Sequence, residues 1–463
     1  MKHDIIIIGS GPAGIFTALE LVKQGRNDII MLDKGRNLER RECPRETNKA
    51  ACARCTHCSL LSGWGGAGAF SDGKLTLSDE VGGFLDQYLS PQQLSDLIRY
   101  VDDIYLSFGA PQRLYGTDEE AVRGIAGKAV RFDLRLVPFR VRHLGTGYSQ
   151  KVLKKMYDFL AERGVKIEFD VQADEILVEN GRAAGVKTRD GKVFEGGHLV
   201  VAPGREGSAW LAEQARKLRL EMAINPVDIG VRVELPAEIM SPLTDAVFEA
   251  KFVFYSRTFE DRVRTFCMCP RGEVVLENNG GIITVNGHSH AERKTGNTNF
   301  AILVSKTFTH PFNDPISYGK YIAYLANLLG EGVIVQKLGD LKSGRRSTPE
   351  RIKKGLVRPT LPGATPGDLS LVLPYRHLTA ILEMLQALDG LTPGVASRNT
   401  LLYGAEVKFY SSRPVLDKNL ETRIKNLFTI GDGAGVTRGL LQASISGVTA
   451  AKAIAGRAVS SNH

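Results

Sequence analysis

The stretch HDIIIIGSGPAGIF, residues 3–16, limits the possible folds more than any other part of the chain. Ile5 to Ile8 are β-branched at every position, the pattern of a strand buried on both faces, as in a parallel sheet. A G-x-G-x-x-G turn follows at once, and then IFTALELVKQG runs on at helical spacing. Such a strand, glycine turn and helix form the phosphate-binding unit of a dinucleotide fold. Gly9 permits the tight turn, Gly11 lets backbone approach a pyrophosphate, and Gly14 lets the helix pack on the strand. Pro12 and Ala13 open the helix, whose unpaired amides face the phosphates. A second strand, DIIML, ends in Asp33, the position that hydrogen-bonds an adenosine ribose, with Lys34 beside it.

At the carboxyl end, NLFTIGDGAGVTRGLLQASISGVTAAKAIAG (426–456) reads as a buried strand, a Gly-Asp-Gly turn and an Ala-rich helix. It resembles the closing motif of two-domain flavoproteins. The resemblance implies FAD, with Gly431 and Asp432 at the ribityl chain. It also implies that the helix opening at Gly439 and Leu440 points at the flavin pyrimidine edge, where a positive helix end favours the anionic reduced ring. Residues 164–207 read as a strand, a meander with hairpin turns at Asn180-Gly181 and Asp190-Gly191, and a last strand LVVAPG. LVVAPG resembles the flavoprotein strand that ends beside the cofactor, here at Gly204. Val171 matches the residue whose backbone meets the adenine. No second G-x-G-x-x-G follows a strand, so no separate nicotinamide domain is expected, and NAD(P)H as a transient reductant would visit the substrate pocket.

The expected fold class is therefore α/β. A Rossmann-like FAD-binding domain is assembled from 1–80, 143–215 and 411–463, with a helical and loop excursion over 81–142. A substrate or cap domain, 216–410, is expected to hold mixed or antiparallel sheet with helices. Its segments VDIGVRVEL, AKFVFYS, VRTFCMCP, GEVVLE, GIITVNGHSH and TNFAILVS alternate like strands. Helices are expected near 91–108, 317–330 and 375–389.

Four stretches, GGAGAFSDGKL (65–75), TFCMCPRGEVV (265–275), TVNGHS (284–289) and GAEVKFYSS (404–412), together resemble a broad bacterial family of FAD-dependent dehydrogenases. Its members are often named NAD(P)/FAD-dependent oxidoreductases, and the resemblance spans nearly the whole chain. It implies a flavoprotein whose ring is lined by Gly65, Gly66 and Gly68, and it implies no particular substrate. The cysteines just before GGAGAFSDGKL belong only to a subset of that family.

Cys43, Cys52, Cys55 and Cys58 follow the spacing C-x8-C-x2-C-x2-C. Thiolates at two-residue gaps suit a [4Fe–4S] cube, although the Cys-Pro pair comes first here and last in bacterial ferredoxins. Zinc and unligated thiols remain open as alternatives, and a disulfide is disfavoured in a reducing compartment. A cluster there would act as an electron port beside the flavin loop, served by a ferredoxin-like carrier. Cys267 and Cys269 stand apart, two residues from each other in a strand.

Hydride transfer at a flavin needs a proton donor or acceptor nearby. Candidates are Asp72 and Lys74 behind the glycine run, His288 and His290 in NGHSH, and Glu406 and Lys408 in AEVKFY. Arg345 and Arg346 could clamp an anion. The net charge of +9 gathers in 34–54 and 342–358. Glu39, Glu42 and Glu46 interrupt the first run, which argues for an anionic small molecule over nucleic acid. No apolar run nears the roughly 20 residues that span a bilayer, and nothing resembles an export signal, so the expected compartment is the cytoplasm. The function expected is an FAD-dependent oxidoreductase acting on a small organic, anionic substrate. A flavin monooxygenase and an RNA-binding flavoprotein are the alternatives.

Overall fold

Ile5, Ile6 and Ile7 have no exposed surface, because their strand, Lys2–Ile8, has a parallel neighbour on each side. The structure, a computed structural model, describes residues 1–44, 55–145, 147–279, 281–289, 294–312, 314–409 and 413–457. It divides into two compact units. The first holds Met1–Arg113, Arg142–Asn225 and Tyr410–His463, and the second holds Leu114–Val141 and Pro226–Phe409.

In the first unit, parallel strands lie in the order Lys166–Glu168, Ile29–Leu32, Lys2–Ile8, Val193–Val201, Leu427–Thr429. The pairing Ile8↔Leu32 and Ile8↔Val201 brings three strand ends to one edge. The expected meander is present as Ala173–Glu179, Arg182–Thr188 and the first half of Val193–Val201, paired antiparallel. Pro12 opens the helix Pro12–Lys23, where its missing N–H costs nothing. Every residue from Ala13 to Leu21 is buried, so this helix is enclosed rather than amphipathic. Its neighbour is the closing helix Leu440–Ala455, and the contact depends on Gly447. A Cβ there would sit 2.2 Å from the Ala13 carbonyl oxygen. The Thr17 hydroxyl donates to that carbonyl at 2.8 Å and lies 3.3 Å from the carbonyl of Gly447.

The excursion after residue 80 divides between the units. The helix Pro91–Ser107, capped reciprocally by Ser90 and Gln93, stays with the first. Residues 114–141 go with the second, because the strand Arg135–Val137 pairs with Lys251–Tyr255. The helix Ser208–Lys217 and the strand Met222–Ala223 keep the chain in the first unit as far as Asn225.

The second unit is built on an eight-stranded sheet. Its order is Thr365–Pro366, Ile334–Lys337, Leu401–Lys408, Val227–Pro236, Asn297–Lys306, Arg262–Cys269, Lys251–Tyr255, Arg135–Val137. The pairings are antiparallel apart from the first. Alternation in VDIGVRVEL separates two faces. Ile229, Val231, Val233 and Leu235 enter an apolar core with Phe300, Ile302 and residues of the helices Ala237–Val247 and Tyr375–Leu391. Asp228, Arg232 and Glu234 take the other face and are also fully buried. The expected helix over 317–330 is Pro315–Gly330. Between Phe266 and Cys269 the register shifts in a bulge that contains Cys267, whose φ is 47°, and the sulfurs of Cys267 and Cys269 lie 3.9 Å apart. Among the described residues no helix is long and apolar enough to cross a membrane.

Candidate cofactor site

The glycines of the first unit fall into two kinds. At Gly9, whose φ is 98°, a Cβ would lie 2.1 Å from the Ala202 carbonyl oxygen, and at Gly14 it would lie 2.0 Å from that of Gly9. These glycines allow close packing of strand, turn and helix. At Gly11 the nearest atom to such a Cβ is the Cα of Gly66, 3.9 Å away, and at Gly439 it is 3.7 Å away on Gln442. At Gly204 nothing lies within 4 Å. These three border open space. Close approaches link the segments that carry them. Gly68 would touch Leu440 and Pro12, Gly431 would meet the Ala13 Cβ at 3.0 Å, and Gly433 abuts the backbone of Gly204. No side chain caps the helices that start after Gly11 and Gly439. Both present first-turn amides to whatever lies in front of them.

Asp432 holds the closing turn with one oxygen. Its Oδ1 accepts from the Thr437 hydroxyl at 2.7 Å and from the Gly439 amide at 3.2 Å, while Oδ2 has no partner among the described residues. Burial raises the carboxyl's pKa, partly opposed by Arg205 and the two hydrogen bonds. An oxygen so placed can accept from a polyol hydroxyl.

Asp33 is differently engaged. Its Oδ2 accepts from the amide and hydroxyl of Ser10 at 2.8 and 2.7 Å. Its Oδ1 accepts from the amides of Gly35 and Gly63 at 2.8 and 2.9 Å. Those four bonds use the roughly four acceptor positions of a carboxylate. Asp33 therefore ties the glycine turn to the loop at Gly63. The Val171 amide donates to the Asp33 carbonyl at 2.9 Å. Lys34 pairs with Glu206 at 3.4 Å, and Glu206 also accepts from the Ser62 hydroxyl.

The loop carrying Gly65, Gly66 and Gly68 is positioned by a residue that sequence reasoning missed. Arg41, 4 % exposed, donates to the carbonyls of Ser59, Trp64 and Gly66 at 2.8, 2.6 and 2.8 Å. Its guanidinium also lies 4.8 Å from the centre of the Phe70 ring. Burial pulls its pKa down to about 10, against the attraction of Asp33. In the sequence Arg41 is one more charge in a basic run, and only its burial separates it from the others. Gly65 completes the junction, donating its amide to the Ser10 carbonyl at 2.8 Å.

Asp72 and Lys74 pair with each other at 3.1 Å, across a turn in which a Cβ on Gly73 would strike Ser149. His288 and Lys408 belong to the second unit. His288 stands opposite Glu273 in the hairpin Glu273–Asn279 and Ile282–His288. His290 lies outside the described residues. Lys408, 5 % exposed, pairs with Glu406 at 3.1 Å and Glu277 at 3.4 Å. Burial opposes its charge, but the two carboxylates prevail and raise its pKa. Glu406 also meets Arg232, whose five N–H donors are all engaged. Two reach Glu406 at 2.8 and 2.9 Å, and the others reach Cys267 O, Asn299 and Asn286. Arg345 is held by Asp340 at 3.0 Å.

Of the cysteine set, Cys52 lies outside the described residues. Burial, and then the charge of Glu206, push the Cys58 thiol up. Cys55 is exposed, and none of Cys43, Cys55 and Cys58 is in a disulfide. No group of three or more metal-ligating side chains is assembled among the described residues.

Residues 226–409 match the family described as FAD-dependent protein, C-terminal domain-like. The match coincides with the main segment of the second unit. An uncharacterized protein of Clostridium beijerinckii is 27 % identical over 98 % of this chain and 81 % of its own length. Among solved structures, a 3-ketosteroid-Δ4-(5α)-dehydrogenase from Rhodococcus jostii RHA1 is 13 % identical with a TM-score of 0.47 over 98 % of this chain and 97 % of that one. An L-proline dehydrogenase from P. horikoshii is also 13 % identical, with a TM-score of 0.42 over 98 % and 93 %.

Proposed function

We propose that the chain is an FAD-dependent oxidoreductase that exchanges a hydride with a small organic, anionic substrate. The observation that carries this reading is the set of open glycines, Gly11, Gly204 and Gly439, on segments that touch one another at the ends of parallel strands. The family match of residues 226–409 supports it. FAD, when bound, supplies the two-electron chemistry.

This chain's own groups hold and orient it. The amides opening Pro12–Lys23 receive phosphate oxygens, and Asp432 Oδ2 accepts from the ribityl chain. The amides opening Leu440–Ala455 stabilise negative charge at the ring's pyrimidine edge. Arg41 keeps the Gly63–Gly68 loop against the glycine turn. Lys74, partly screened by Asp72, offers a positive charge on the strand behind that loop.

In the same reading Cys43, Cys52, Cys55 and Cys58 would hold a [4Fe–4S] cluster, which would supply one-electron chemistry toward a ferredoxin-like carrier. The two-residue gaps between Cys52, Cys55 and Cys58, in the segment leading to Gly65, support this extension. Purification without air followed by a visible spectrum, acid release of FAD and assays of iron and sulfide tests both parts. About one FAD and about four irons per chain are expected. Failure to take up FAD on reconstitution would overturn the function, whereas full flavin with no iron removes only the cluster. NAD(P)H as transient reductant is checked by bleaching of the flavin absorbance.

A further inference from the structure

The polar face of the second unit's sheet gathers cations around one aromatic ring. The register sets Val253 opposite Arg264 and Lys408 opposite Asp228, which puts Lys251, Arg264, Phe266 and Lys408 on the same face. Arg264, Lys408 and Lys251 lie 4.7, 5.7 and 6.0 Å from the centre of the Phe266 ring. All three are at least nine-tenths buried.

Two of the three are matched by acids. Arg264 pairs with Asp228, and Lys408 pairs with Glu406 and Glu277. Lys251 makes no ion pair or hydrogen bond among the described residues. Its contacts are to rings, Phe266 and, at 5.6 Å, Phe139. An ammonium held nine-tenths out of water without an acceptor is costly. Burial, and then the charges of Arg264 and Arg262, depress its pKa to about 7, against the opposing pull of Glu249 and Cys267.

We propose that Lys251, with Arg264 and Lys408 around the Phe266 ring, forms a binding site for an organic carboxylate whose apolar part lies against Phe266 and Phe139. The carboxylate would supply the acceptor that the Lys251 amine lacks. This deepens the proposed function, on which it rests for the role of the ligand as substrate.

The site is tested by isothermal titration calorimetry of the flavin-loaded protein with benzoate, and separately with inorganic phosphate, at pH 8. Two buffers of different ionisation enthalpy report proton uptake. Wild-type protein is expected to bind benzoate in preference to phosphate and to take up a proton. Lys251→Met is expected to weaken benzoate binding by at least about tenfold and abolish the uptake, with FAD content and Tm not lowered. Lys251→Arg should retain binding without uptake. Benzoate binding unchanged in Lys251→Met, no benzoate binding to wild type, or tighter binding of phosphate would each overturn the site. The FAD content of the same samples reports separately on the proposed function.

Discussion

The Arg232 guanidinium and the Glu406 carboxylate meet through two parallel hydrogen bonds, at 2.8 and 2.9 Å, with neither side chain exposed to solvent. A pair this deep is held by geometry. Each ion loses its hydration, and only complete satisfaction of its donors and acceptors compensates. Arg232→Met and Glu406→Gln are therefore each expected to cost about 3–5 kcal/mol, because the first leaves Glu406 with Lys408 alone and the second leaves the Arg232 guanidinium buried without its carboxylate. The double variant should cost clearly less than the sum. Urea unfolding of the three variants measures the coupling, and strict additivity would refute it.

Arg41 acts through the loop it holds. Arg41→Met keeps the bulk of the side chain but leaves the carbonyls of Ser59, Trp64 and Gly66 without their donor. We expect FAD affinity to fall at least about tenfold, while far-ultraviolet circular dichroism stays unchanged. Lysine at the same position reaches one carbonyl rather than three and should rescue little. Equal FAD affinity in all three proteins would show that the loop needs no clamp.

For Asp33, structure and motif make different forecasts. A residue whose only partner is a ribose diol would leave the flavin-free protein equally stable when changed to Asn. The observed carboxylate accepts from Ser10, Gly35 and Gly63 and would instead face them with an amide donor. Asp33→Asn is thus expected to destabilise the flavin-free protein by about 1–3 kcal/mol. Thermal unfolding without FAD is the measurement, and an unchanged Tm supports the ribose role alone.

Gly447 tests how the two helices of the first unit meet. A methyl group would stand 2.2 Å from the Ala13 carbonyl oxygen and 2.9 Å from the Thr17 nitrogen, both backbone atoms that cannot swing away. Gly447→Ala should destabilise by roughly 1–3 kcal/mol despite alanine's better helix propensity. A gain in stability would mean that the helices separate easily.

Lys251 makes stability depend on pH in a direction that can be stated. Its pKa falls from 10.5 in the unfolded chain to about 7 when folded. Between those values the unfolded chain binds a proton that the folded chain does not, so this group makes stability rise with pH, by at most about 1.4 kcal/mol per unit. Below about pH 7 its cost is constant. Lys251→Met should remove that slope between pH 7.5 and 9.5, as read by urea unfolding at each pH. An identical slope in the variant would place the lysine's pKa near its ordinary value.

How much of this was legible in the chain differs from place to place. IIIIGSGPAG determined a buried strand, a tight turn and a helix by itself, because backbone sterics and hydrophobic periodicity act over a few residues. The same holds for the closing strand and helix over 426–456, and for the alternation of VDIGVRVEL that announced two-faced strands. Only the tertiary structure decided what Asp33 and Arg41 do. A carboxylate beside a glycine turn suits a ligand or a loop equally well until the amides that reach it are known, and an arginine in a basic run looks solvated until its burial is seen. The polar face of the second sheet was decided the same way. Arg232 lies 174 positions from Glu406, and Lys251 is set apart by the acid it does not meet. Charge pairing and desolvation depend on distance in space, which the order of residues does not encode locally.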